Sequence, residues 1–80
     1  MGLKKGDLIR LKRTGEMATV MRGEYTARFI DDQDEEMIAH GMGAMAGTYG
    51  AAVDICNLAT GRFRRKVKVS YATMEVVSSA

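Results

Sequence analysis

The sequence predicts an all-β chain: a five-stranded barrel with a helical or irregular insertion at residues 31–50. Two observations carry this prediction. Short runs with apolar residues at alternate positions recur on both sides of residues 31–50, separated by glycine-centred turns. The charge follows the same division. Residues 1–30 carry seven bases and three acids, residues 31–50 carry five acids and no base, and residues 51–80 carry five bases and two acids. Two basic parts therefore flank an acidic one. Eighty residues suit one domain, 1–80, whose folding buries only about 60% of the unfolded chain's surface.

The elements follow in order. Lys4–Asp7 reads as a turn, with Gly6 and Asp7 as turn residues. Leu8–Thr14 alternates, placing Ile9 and Leu11 inside and Arg10 and Lys12 in water. Thr14-Gly15-Glu16 turns the chain, and Met17–Arg22 returns with Ala18 and Val20 on one face. Arg22-Gly23-Glu24 predicts a second turn, and Tyr25–Ile30 a third strand with Tyr25, Ala27 and Phe29 inside. Beyond the insertion, Ala51–Leu58 puts Val53 and Ile55 on one face and Asp54 and Cys56 on the other. Thr60-Gly61 makes a hairpin turn. Phe63–Tyr71 runs back with Phe63, Val67, Val69 and Tyr71 inward, and Arg65 breaks that pattern. Tyr71–Thr73 reads as one helical turn before a last strand, Met74–Val77, with Met74 and Val76 inward. The chain has no proline, so its edge strands rely on charge to resist pairing with other chains.

Within the insertion, Asp32 and Glu35 suit a helix start, because a carboxylate caps free amides and complements the positive helix end. Gly41 suits the stop, which predicts two turns over about Gln33–His40. Ile38, Met42, Met45 and Tyr49 continue at helical spacing, but Gly41, Gly43, Gly47 and Gly50 would each cost about 1 kcal/mol in a helix.

Lys5-Gly6-Asp7-Leu8-Ile9-Arg10-Leu11, Thr14-Gly15, Ala18-Thr19-Val20 and Ala27-Arg28-Phe29-Ile30-Asp31 together resemble the opening of SH3-like barrels. KOW and Tudor-type modules and the small barrel subunits of photosynthetic complexes read this way. The end of the chain, with Tyr71–Thr73 followed by Met74-Glu75-Val76-Val77, is similar to theirs. The resemblance covers residues 4–30 and 51–77 and implies an SH3-like fold. It implies no function that depends on the connecting loop, because residues 31–50 depart from the pattern.

Two binding surfaces are expected. Residues two apart on a strand share a face, so Arg62, Arg64, Lys66 and Lys68 form one outward row suited to nucleic acid or another polyanion. The plainer alternative is a solvated face that guards a sheet edge, neutralised by the acids of residues 31–36. The second surface is Met42, Met45 and Tyr49, an adaptable apolar set for a protein partner or a second copy. Its alternative is a lid over the open end of the barrel.

Other chemistry finds little support. The sequence has no catalytic triad spacing, phosphate loop or dinucleotide fingerprint, so no enzyme activity and no cofactor are expected. The acids of residues 31–36 lack the central glycine of a calcium loop. His40 has no partner for a transition metal and suits a helix end, so no metal site is expected. Cys56 is the single cysteine and reads as a packed or half-packed thiol, compatible with a reducing cytoplasm. No apolar run is long enough for a signal peptide or membrane span, and Gly6 stands where a myristoylation signal wants Ser or Thr.

Overall fold

The computed structural model describes residues 2–43 and 46–80. Its elements are β1 (Leu8–Leu11), β2 (Met17–Phe29), α1 (Asp32–Ala39), β3 (Thr48–Asn57), β4 (Phe63–Lys68) and β5 (Met74–Ser78). The strands form one antiparallel sheet in the order β4-β3-β2-β1-β5. In a flat sheet β4 and β5 would lie four strand spacings apart, about 19 Å. Yet residues 69–73 join them, and this link contains a tight turn in which the Met74 N–H donates to the Ser70 carbonyl at 2.8 Å. Leu3, Ile9, Ala18, Val20, Val53, Ile55 and Met74 form one buried cluster, with Val67 packed against it. Residues from all five strands meet in one core only when the sheet coils, so the architecture is all-β and barrel-like.

The expected turn at Arg22-Gly23-Glu24 is not a reversal. β2 runs straight through it, with pairing irregularities between Val20 and Arg22 and between Arg22 and Tyr25. These act as β-bulges that bend the strand. A Cβ on Gly23 would stand 3.0 Å from the Leu3 carbonyl oxygen. The N-terminal segment crosses β2 here: the Glu24 N–H donates to the Leu3 carbonyl at 3.0 Å, and the Leu3 N–H donates to Glu24 Oε2 at 2.7 Å. Gly23 serves close approach of two backbones, not a turn.

Bulges also exchange faces, because a one-residue offset moves every following side chain to the other side. Ala18 and Val20 enter the core as expected. Tyr25 and Phe29, expected inside, are half-buried and lie on the opposite face, paired with Ala52 and Thr48. In β4, Val67 pairs with Val53 and Arg64 with Ile55, so one extra residue sits between them. Lys66 there adopts φ +53°, the left-handed region. Phe63, expected inside, pairs with Cys56 and is exposed; Arg64 takes the side of Ile55. Tyr71 is likewise exposed and its hydroxyl donates to Glu24, whereas Val76 pairs with Ile9 on the side of the core, as expected, but remains 42% exposed.

The helix forms close to where it was expected, with Asp31 as its cap in place of Asp32. The Asp31 side chain accepts from the Asp34 N–H at 2.8 Å, and Asp34 accepts in turn from the Asp31 N–H at 3.1 Å. This reciprocal box makes Asp31 the cap. Gly41 follows His40 at φ +81°. No α1 residue is buried, and no strand packs extensively against the helix. Tyr49 belongs to β3, so the helical spacing through Met42 and Tyr49 does not form one helix. The outer parts of β2 and β3 extend past the core as a ribbon that carries α1, in a molecule 44 × 25 × 21 Å across. The helical part of the insertion, Asp32–Ala39, is therefore carried on an arm.

Candidate nucleic-acid interface

The face opposite the core is organised around Asp54. It lies between Val53 and Ile55 on β3 and points away from them, as alternation requires. Tyr25 Oη donates to Asp54 Oδ1 at 2.6 Å, and the Lys66 N–H donates to the same oxygen at 3.0 Å. The amide freed by the β4 bulge thus finds its acceptor across the sheet. These two bonds, with Arg22 and Arg65 nearby, hold the Asp54 carboxyl below its ordinary pKa, and the bond to Asp54 raises the Tyr25 phenol.

Cations and rings gather around this centre. The Arg22 guanidinium lies 3.9 Å from the Tyr25 ring centroid, and Arg65 lies 5.6 Å from that of Phe63. Lys66 Nζ and Lys68 Nζ stand 5.7 and 5.8 Å from the Phe29 centroid. Lys66 Nζ also donates to the Arg28 carbonyl at 2.9 Å, reaching across β3. The Phe29 ring lies over Gly50, where a Cβ would be 3.7 Å from the ring. All four cations are exposed. In β3 register the rings sit at Thr48, Ala52 and Cys56, about 13 Å between stations.

The expected row of four cations is divided. Lys66 and Lys68 belong to this face, whereas Arg64 and Arg62 line hollows beside Glu16 and Asn57. The bulge at Arg65–Lys66 separates them and turns Arg65 outward, over Phe63. Sequence reasoning missed Arg22, Arg65 and the three rings, because it placed the rings inside. The available signal was Asp54, a carboxylate between two core residues that calls for donors on the far face. Of the expected apolar set, Met42 is exposed, Tyr49 is 75% exposed on β3 opposite Arg28, and Met45 lies outside the described residues. Cys56 is a free, half-buried thiol near the carbonyls of Asn57 and Gly61. Among the described residues no three His, Cys, Asp or Glu side chains gather at metal-binding distance, and no helix is long and apolar enough to cross a membrane.

No protein-family model matches this chain, and comparison with the curated proteins and with the solved structures found no match.

Proposed function

We propose that this protein is a non-catalytic nucleic-acid-binding module, an SH3-like barrel of the KOW or Tudor kind working in a reducing cytoplasm. The observation that carries the reading is the alternation of Arg22, Arg65, Lys66 and Lys68 with the rings of Tyr25, Phe29 and Phe63 on one exposed face. Cations neutralise phosphates, and rings and guanidinium planes accept unstacked bases. Both together favour a single strand over a duplex, whose bases offer no free face. The test is affinity for a labelled single-stranded oligonucleotide across a salt series. Four phosphate contacts give a log–log slope of about −3 on a single strand. Absence of binding at low salt, or binding indifferent to salt, overturns the reading.

A second reading rests on a separate observation. Ile30, Ile38, Met42 and Tyr49 are exposed apolar residues of the β2–β3 arm and its helix. Such a surface suits assembly with a partner or a second copy. Light scattering tests self-assembly, and a strict monomer at high concentration removes it.

A further inference from the structure

A second basic site lies away from the cation–ring face. Two adjoining hollows, of about 600 and 350 Å³, share Glu16 and Arg64. Arg62 lines the larger and Arg13 the smaller, which Thr73, just before β5, also lines. Three arginines distant in sequence thus line adjoining hollows: Arg13 from the β1–β2 turn, Arg62 from the end of the β3–β4 turn and Arg64 from the start of β4. Arg64 is here because the β4 bulge places it on the side of Ile55.

The single carboxylate of the cleft is already engaged. Glu16 Oε2 accepts from Asn57 Nδ2 at 2.9 Å, while Asn57 Oδ1 accepts from the Ala59 and Thr60 amides at 2.8 and 3.0 Å. Asn57 therefore ties Glu16 to the β3–β4 turn. Among the described residues the ion pair joins Arg10 to Glu75, and none of the three cleft arginines takes part in one. Three guanidinium charges against one carboxylate leave an excess of two positive charges in a concave site.

The geometry points to a phosphate-monoester dianion as the ligand of this cleft. The guanidinium fork matches phosphate oxygens in pairs, and the monoester carries about −1.5 to −2 charge near neutral pH. The hollows are large enough to admit a nucleotide-sized group. The phosphate could belong to a free nucleotide or to the end of a nucleic-acid strand. The assignment stands on the cleft alone and does not depend on the cation–ring face.

The test is titration of the full chain with inorganic phosphate, a nucleoside 5′-monophosphate and the unphosphorylated nucleoside, followed through amide and arginine Nε NMR signals. Saturable binding of phosphate and monophosphate is expected, with at least about tenfold weaker binding of the nucleoside. Binding should strengthen from about pH 5 to about pH 7, as the second phosphate ionisation near 6 completes. Arg62→Gln with Arg64→Gln should weaken it about tenfold or more, with an unchanged amide spectrum elsewhere. Lys4→Gln with Lys5→Gln, which removes the same charge from exposed residues outside both the cleft and the cation–ring face, should leave it within about twofold. Short oligonucleotides with and without a terminal phosphate identify the source: the phosphorylated end binding best assigns a strand end, and the free monophosphate binding best assigns a nucleotide. Binding that ignores the phosphate group or its ionisation, or that falls equally in both double variants, overturns the assignment.

Discussion

The Tyr25 hydroxyl donates to Asp54 Oδ1 at 2.6 Å, joining two strands on the face turned away from the core. Asp54 is only 8% exposed, and the same oxygen receives the Lys66 amide. One carboxylate thus satisfies a phenol and a bulge amide, and it positions both neighbours of the cation–ring face.

This bond has a pH signature. Asp54 titrates below its ordinary 3.8 in the folded chain, so its stabilisation is present above that value and is lost as pH falls through the depressed one. Tyr25 titrates above its ordinary 10.0, so its stabilisation is present below that value and is lost as pH rises through the raised one. Urea unfolding across pH should show wild-type stability falling at both extremes. Tyr25→Phe should lower mid-range stability and flatten both limbs. The acid limb should persist in part, because Asp7 is also held low by the Ala80 and Lys4 amides. An unaltered alkaline limb would count against the Tyr25 assignment.

Lys66 separates backbone from charge. A non-glycine residue at φ +53° carries a cost of about 1–2 kcal/mol, and glycine removes it while adding about 0.5–1 kcal/mol of unfolded-state entropy. Lys66→Gly should leave folding stability within about 1 kcal/mol of wild type by chemical denaturation. The same variant should reduce the salt slope for a single strand by about 0.7.

Phe63→Ala addresses stacking. Phe63 is exposed outside the core cluster, so the fold should survive its loss. Affinity for a single strand should drop by about 1–3 kcal/mol with no change in salt slope. A changed slope with unchanged affinity at low salt would remove Phe63 from the interface.

The core gives the contrast. Ile55 is 1% exposed, and Ile55→Val should cost about 0.5–1.5 kcal/mol in thermal or urea unfolding. Ile38, exposed on the unpacked helix, should tolerate Ala within about 0.5 kcal/mol of global stability.

The helix cap is local by the same logic. Asp31→Ala removes the bond that the Asp31 side chain accepts, leaves the backbone N–H of residue 31 free to donate to Asp34, and should weaken α1 by about 1 kcal/mol. Since α1 buries no residue, hydrogen exchange should speed up across Asp32–Ala39 while the global midpoint stays in place. A cooperative loss of the whole fold would show that the arm is coupled to the core.

Much of the fold was legible because it rests on local chemistry. Ile9, Val20, Val53 and Ile55 alternate at strand period and are buried as their pattern requires. Gly15, Gly41 and Gly61 mark a turn or helix end with positive φ, as their positions implied. The division at residues 31–50 is visible as charge and marks the one connection that carries a helix.

The site was less legible, because strand periodicity carries a side chain's face only as far as the next bulge. Gly23 looks the same in sequence whether it reverses the chain or lets Leu3 cross it. Phe63, Arg64 and Arg65 look like in, out and in until one extra residue at Lys66 shifts the register. By itself the sequence determined an all-β chain, its core strands and its acidic helical interruption, since these follow from period, turn chemistry and capping within a few residues. Only the tertiary structure decided which cations share a face. That depends on bulges and on the coiling of the sheet, which are set by packing between strands distant in the chain.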